Sequence, residues 1–142
     1  MYGTKTDIAV FLPGDSLLTQ VAQWVQEHAE FSLNVIQSGE RQAVTEACGR
    51  AARVVIDGTA RPTLAGDVLE LAIDHVEPND ILLYIERTDA SLEIFARTRG
   101  VALALGPMAA AEWDAMLEPV TARHASCWNE PQPCLLKVRS AR

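Results

Sequence analysis

The sequence predicts an α/β domain with a five-stranded parallel sheet, doubly wound as five strand-and-helix units, (βα)5. Short unbroken apolar runs alternate along the chain with segments whose apolar residues recur at helical spacing. Apolar runs of this kind are typical of strands covered on both faces, and their alternation with helices requires right-handed crossovers between parallel strands. The length of 142 residues suits one such domain.

Five apolar runs are predicted as the strands of this sheet. They lie at residues 8–12, 31–36, 53–56, 81–85 and 101–105. The second run alternates partly between apolar and polar residues, which favours a strand at the edge of the sheet.

The first two helices follow the first two strands. Apolar residues recur at helical spacing between residues 17 and 28, and Asp15 or Ser16 is predicted to cap the start of this helix. The second helix is predicted to lie between Ser38 and Gly49. Both segments therefore act as crossover helices between parallel strands.

The last three helices end at glycine or proline signals. The third carries apolar residues at 68–76 and stops before Pro78. The fourth, at about residues 91–99, is followed by Gly100, which suits the left-handed position at a helix end. The fifth is expected to be distorted by Pro119 in its last turns.

The strand–helix pattern ends near residue 125. Residues 1–125 are therefore predicted as the domain and residues 126–142, rich in turn formers, as a tail or linker. No apolar run approaches the roughly 20 residues that span a bilayer, and the N-terminus lacks the pattern of a signal peptide. We therefore expect a cytoplasmic protein without a membrane partner.

Charge and cysteine spacing argue against two further classes of function. The formal net charge of −7 opposes binding to a phosphate backbone, so no direct nucleic-acid partner is expected. Cys48, Cys127 and Cys134 lack the spacing of a metal site, and we expect reduced thiols, with a Cys127–Cys134 disulfide as the alternative on oxidation. No metal and no cofactor is predicted.

Two stretches of sequence resemble the receiver domain of two-component response regulators. The third strand ends in Asp57, with Pro62 and Gly66 following, and residues 106–108 read Gly-Pro-Met after the fifth strand. The resemblance covers residues 7 to about 124. It implies a receiver-like, flavodoxin-like fold in which Asp57 is the candidate vestigial phosphoacceptor.

The metal-holding positions of the receiver pattern are not acidic in this chain. Receivers bind Mg²⁺ through an acidic pair after the first strand together with the acceptor aspartate, because a divalent cation offsets charge on the phosphoryl oxygens. Leu12 and Pro13 match that pair, and Asp15 follows too late, where capping explains it. Asp57 and Glu86 are the remaining acidic pair, but we do not expect them to hold a metal.

The positions that would contact a phosphoryl group also depart from the family. Gly106, before Pro107, matches the family's lysine, while Glu86 matches its switch serine or threonine, with Thr88 two residues later. No aromatic residue lies at 102–105, where the family has one. Because such sheets place chemistry at the carboxyl ends of the strands, the candidate cleft residues are Asp15, Glu86, Thr88, Gly106 and Pro107.

These departures predict an atypical receiver, or pseudo-receiver, and not an enzyme. It would signal through a protein partner or an output domain beyond Arg142, for example as the N-terminal regulatory domain of a transcriptional regulator, without the usual phosphorylation cycle. The resemblance implies a homodimer through the fourth helix, fifth strand and fifth helix. The candidate residues of that face are Glu93, Arg97, Arg99, Glu112, Asp114 and Met116.

Residues 14–17 support two alternative interpretations. Gly-Asp-Ser-Leu resembles the opening motif of the GDSL (SGNH) hydrolases, which would make Ser16 the nucleophile of a small esterase. That family carries Asp-x-x-His near its C-terminus, whereas Thr121 precedes His124 here. The same loop could instead bind a phosphate at a helix N-terminus.

Overall fold

Five strands and five helices alternate along residues 6–117, which are the residues that the computed structural model describes. The strands are β1 Thr6–Phe11, β2 Phe31–Ile36, β3 Ala51–Asp57, β4 Ile81–Ile85 and β5 Ala102–Leu105. The helices are α1 Asp15–Gln26, α2 Arg41–Arg50, α3 Pro62–Ala72, α4 Ala90–Thr98 and α5 Ala110–Leu117. A single 3₁₀ turn, Pro78–Asp80, leads into β4.

The strands form one parallel sheet in the order β2-β1-β3-β4-β5. This arrangement confirms the predicted doubly wound (βα)5 architecture, with β2 at an edge as its alternating polarity indicated. Phe11 of β1 pairs with Ile56 of β3, and Asp57 at the end of β3 pairs with Tyr84 of β4. The carboxyl ends of the three central strands therefore lie side by side.

Alternating side chains of the strands build two apolar layers. In β1, Ile8 and Val10 face the layer that α1 and α5 cover, whereas Ala9 and Phe11 face the layer under α2, α3 and α4. All four side chains are fully buried. Coverage on both faces explains why the strand sequences are nearly continuous apolar runs.

Helix ends differ in part from the sequence prediction. Neither Asp15 nor Ser16 caps α1, since the N-cap residue is Gly14, which has no side chain of its own, so that prediction was wrong. Gly100 takes the predicted left-handed conformation, with φ of 77°. The start of α4 has a cap that the sequence reading missed, because Asp89 accepts a hydrogen bond from the Leu92 amide.

Several sequence predictions lie outside the described residues. They are the domain boundary near residue 125, the tail at 126–142, the distortion at Pro119, and the roles of Cys127, Cys134 and His124. Cys48 lies inside the described region and is buried, and burial raises the pKa of its thiol to about 11. Within residues 6–117, no helix is both long and apolar enough to cross a membrane.

Candidate functional site

Asp57 ends β3 at the edge of the sheet where the carboxyl ends of the strands meet, which we call the mouth. Its carboxylate binds the protein's own backbone. One oxygen accepts the Gly14 amide at 2.9 Å and the other accepts the Thr59 amide at 2.8 Å. The residue is only 2 % exposed. Because Gly14 is the N-cap of α1, the carboxylate lies at a helix N-terminus, where the helix dipole favours an anion. Asp57 thus fastens the β1–α1 loop to the end of β3.

The β1–α1 loop presents apolar rather than acidic side chains to this region. Leu12 and Pro13, which match the acidic pair of receivers, are both buried, and Leu12 packs in the core under α2, α3 and α4. Leu12 has a φ of 58°, an uncommon conformation for a residue with a side chain. Its amide donates to the Ile36 carbonyl at 2.8 Å, which helps to hold this conformation. Asp15 follows in the first turn of α1 and is exposed.

Glu86 comes directly after β4, the strand next to β3, which ends in Asp57. The Glu86 amide donates to the Thr59 hydroxyl at 3.0 Å, while its carboxylate accepts the phenol proton of Tyr84. Hydrogen bonds from Ser16 and Tyr84 hold the pKa of the Glu86 carboxyl below its ordinary value. Glu86 is therefore an ionised acceptor tied to α1 and β4.

Tyr84 lies within β4 and is fully buried, with its hydroxyl between two polar side chains. It accepts from the Gln20 amide at 2.8 Å and donates to Glu86. Burial, and next the hydrogen bond to Glu86, raise the pKa of the phenol to about 12. The phenol is consequently neutral at physiological pH.

Gln20 on α1 joins this cluster to the start of α5. Its carbonyl oxygen accepts the Met108 amide at 2.9 Å and the Trp113 indole at 3.2 Å. Its amide nitrogen donates to Tyr84 and to the Ser16 hydroxyl at 3.1 Å. We call Ser16, Gln20, Tyr84 and Glu86 the mouth cluster.

Gly106 follows β5, at the position that matches the family's lysine, and has no room for a side chain. A Cβ atom built there would overlap the ring and hydroxyl of Tyr84. The peptide bond to Pro107 is cis. Pro107 and Thr88 are both exposed at this end of the sheet. The mouth is therefore filled by a phenol beside Gly106, where the resemblance implies an amine.

The side chains at the mouth do not fit a bound Mg²⁺. Both oxygens of Asp57 accept backbone amides, Glu86 accepts hydroxyl protons, and the matching positions on the β1–α1 loop are Leu12 and Pro13. Among residues 6–117, no three His, Cys, Asp or Glu side chains are grouped as metal ligands would be. The oxygen ligands that Mg²⁺ requires are therefore engaged elsewhere or replaced by apolar groups.

The predicted dimer-face residues mostly make contacts within the chain. Glu93 accepts the Asp89 amide at 3.0 Å, and Arg99 lies 4.5 Å from the centre of the Phe95 ring. Glu112 accepts the Ala109 amide at 2.8 Å. Arg97 lies 4.0 Å from Glu93 and is exposed, and Met116 packs half-buried against the apolar layer under α1 and α5.

Asp114, assigned to the same face, contacts α1. One of its carboxylate oxygens accepts the Trp24 indole at 2.8 Å and lies 3.2 Å from the His28 ring nitrogen. The rings of Trp24 and His28 stack with centroids 3.9 Å apart. Asp114 therefore fastens α5 to α1.

Exposed apolar side chains lie on α4 and β5. Ile94 is 62 % exposed and Leu105, which belongs to an edge strand of the sheet, is 59 % exposed. Leu103 of the same strand is half-buried. We call Ile94, Leu103 and Leu105 the α4–β5 strip.

Sequence reasoning missed the two residues that organise the mouth. Tyr84 was read only as part of an apolar strand, and Gln20 only as part of a helix. A tyrosine within an otherwise aliphatic buried strand is itself a signal, since a buried hydroxyl requires a hydrogen-bond partner. Its partner could not be named from spacing, because Gln20 lies 64 residues away in sequence.

Solved structures of other proteins share this fold. A pilus assembly-related protein of Burkholderia pseudomallei matches with a TM-score of 0.59 at 20 % identity, over 89 % of this chain and 94 % of that one. A CpaE pilus assembly protein of Caulobacter crescentus gives 0.56 at 12 %, over 80 % and 91 %. A flavodoxin-like domain from Synechococcus gives 0.50 at 13 %, over 78 % and 90 %.

Identities this low carry the fold and not the function. The chain therefore has the flavodoxin-like α/β fold, to which receiver domains also conform. No family model and no curated protein sequence matches the chain.

Proposed function

We propose that this domain is an atypical receiver that acts through protein contacts and does not use the Mg²⁺-dependent aspartyl-phosphate cycle. The observation that carries the proposal is the state of Asp57, whose two carboxylate oxygens accept the amides of Gly14 and Thr59. Phosphorylation would require one of these oxygens as a nucleophile, at the cost of a hydrogen bond that holds the β1–α1 loop. The receiver-like fold is retained, while the carboxylate at the phosphoacceptor position, Asp57, accepts hydrogen bonds from backbone amides.

The proposal is also supported by the side chains that occupy the mouth of the sheet. In-line transfer of a phosphoryl group needs space and positive charge around the acceptor. Tyr84 lies against Gly106, and the nearby Glu86 adds negative charge. A dianionic phosphoryl group would meet a phenol and a carboxylate there, which disfavours its binding.

Mass spectrometry after incubation with acetyl phosphate and Mg²⁺ tests this proposal. We expect no mass gain at Asp57, with Asp57→Asn as the reference. A phosphoryl adduct that needs Mg²⁺ and disappears in Asp57→Asn would overturn the proposal. A receiver known to be phosphorylated, treated in parallel, establishes that the reagent is active.

We further propose that the α4–β5 strip is the contact surface, with a second copy of this chain as its first partner. Apolar side chains as exposed as Ile94 and Leu105 on neighbouring elements are typical of interaction sites. Glu93 and Arg97 on α4 supply both signs of charge beside them, which favours contact between identical surfaces.

Light scattering across a range of concentrations tests the dimer. Leu105→Lys is expected to shift the protein to monomer, because it places a charge on an exposed apolar position of the strip. Val35→Lys is the matched control, since Val35 is 38 % exposed on the opposite edge strand. A wild-type protein that is monomeric at high concentration, or equal effects of both substitutions, would contradict this surface.

The names of the neighbours suggest a setting for such a domain. Four of the matching structures are described as pilus assembly or pilus assembly-related proteins. We therefore extend the proposal to a regulatory or docking module of an assembly protein, beside the alternative of a transcriptional regulator with an output domain. Affinity capture with Leu105→Lys as the control would discriminate them by the class of partner that depends on the strip.

A serine esterase remains the second candidate. The Ser16 hydroxyl lies 3.1 Å from the Gln20 amide, and it contributes to lowering the pKa of the nearby Glu86 carboxyl. Nucleophilic catalysis needs a base on the serine and donors for an oxyanion. Labelling by a fluorophosphonate probe that is lost in Ser16→Ala would favour the esterase, and its absence would remove it.

A further inference from the structure

The hydrogen bonds of the mouth cluster have directions that their chemistry fixes. The Met108 amide and the Trp113 indole can only donate, so the Gln20 atom between them is its carbonyl oxygen. The Gln20 nitrogen therefore faces the Tyr84 hydroxyl and donates to it. Having accepted this bond, the phenol directs its single proton to Glu86.

This orientation makes a continuous chain from the mouth of the sheet to the start of α5. Its first member, Glu86, is half-exposed, and its interior member, Tyr84, is fully buried. The far end holds Met108, two residues before α5 begins, and the buried Trp113 within that helix. A buried phenol that lost its acceptor would have to turn, because an unpaired polar group in the interior costs free energy.

We propose that this chain is a conformational relay in which Glu86, acting as the acceptor of Tyr84, sets the position of Gln20 and thereby the seating of Met108 and Trp113. Loss of the acceptor at Glu86 frees the phenol to turn, and Gln20, whose orientation the Met108 and Trp113 donors fix, then loses a hydrogen bond that helps to hold its position. A partner that engages the Glu86 carboxylate would act on the start of α5, a consequence that rests on the proposed function in protein contacts.

Hydrogen exchange of the Met108 amide and the Trp113 indole tests the relay in the free protein. Both are expected to exchange about tenfold faster in Glu86→Ala and in Tyr84→Phe, the factor for loss of one hydrogen bond. Glu46→Ala on α2 is the matched control and should leave both unchanged. Glu86 is half-exposed, so its variant is expected to fold even if Tyr84→Phe does not.

The indole of Trp24 provides an internal reference. It donates to Asp114 at the same α1–α5 interface but is not a member of the chain. Faster exchange at Trp113 with no change at Trp24 supports the relay. Equal acceleration at both indoles, or no change at Met108 and Trp113 in Glu86→Ala, overturns it. No partner, phosphate donor or metal enters this experiment, so its outcome is separate from that of the proposed function.

Discussion

At the scale of single residues, the side chains that occupy the mouth of the sheet bond or pack within the protein itself. Asp57 uses both carboxylate oxygens to hold Gly14 and Thr59. Leu12 has a left-handed backbone conformation, and its side chain packs in the core under α2, α3 and α4. Strained residues of this kind persist only where the surroundings over-determine them. Together these residues occupy the region in which a receiver would handle a phosphoryl group.

Residue 106 must be glycine because the ring of Tyr84 occupies the space that a side chain at that position would need. We expect Gly106→Ala to lower the free energy of unfolding by about 1–3 kcal/mol, the usual cost of overpacking. Chemical denaturation measures this loss. Gly49→Ala is the control, because nothing lies within 4 Å of a Cβ there, and it should be neutral or stabilise α2 by up to about 1 kcal/mol. Equal stability of the two variants would contradict the contact with Tyr84.

The phenol of Tyr84 predicts how stability depends on alkaline pH. Its pKa is about 12 in the folded chain against an ordinary value of 10.0, so the folded state retains the proton longer than the unfolded state. The stabilisation is fully present below pH 10 and is lost as the pH rises through 12.

Phenolate absorbance and denaturation at each pH measure this effect. The chain has two tyrosines, so Tyr2→Phe leaves Tyr84 as the only chromophore of this type. Titration of Tyr84 at the ordinary value in the folded protein would contradict the buried hydrogen bond to Glu86.

At the scale of elements, α5 is held to α1 by polar contacts as well as by packing. Asp114 of α5 contacts Trp24 and His28 near the end of α1. Trp113 of α5 bonds Gln20, which lies nearer the start of α1. Short helices depend on tertiary contacts because their own propensity is marginal in water. These two points of attachment therefore determine how α5 lies on the sheet.

Removal of the outer attachment is expected to weaken α5 without disturbing the mouth. Asp114→Ala leaves the indole of the buried Trp24 without its acceptor and should cost about 1–2 kcal/mol in urea denaturation. Asp67→Ala, on the exposed face of α3, is the control and should change stability by less than about 0.5 kcal/mol. Equal stability of the two variants would show that α5 is held by apolar packing alone.

At the scale of the whole molecule, the architecture could be predicted from sequence because its signals are local. The runs 31–36 and 81–85 match β2 and β4 residue for residue, and Gly100 marked the end of α4. The start of α1 was misassigned because Asp15 and Ser16 are good caps in isolation, whereas Asp57, 43 residues from Gly14, supplies the anion at that end.

The candidate site was less predictable because its contacts are long-range. The resemblance to receivers aligns Gly106 with a lysine of that family but does not show that Tyr84 fills the space beside it. Arg53 was read as the start of an apolar strand, and its ion pair with Asp80 joins β3 to the turn before β4. Such pairs depend on strand order and register, which a pattern of apolar residues does not contain.

The central claim is that the Asp57 carboxylate belongs to the backbone and not to a phosphoryl group. The most direct measurement is the pair of amide resonances of Gly14 and Thr59 during titration with Mg²⁺ and beryllofluoride, with Asp57→Asn as reference. We expect both resonances to keep their positions and their protection from exchange in the wild-type protein. Saturable shifts at both amides that require Mg²⁺ and vanish in Asp57→Asn would contradict the claim.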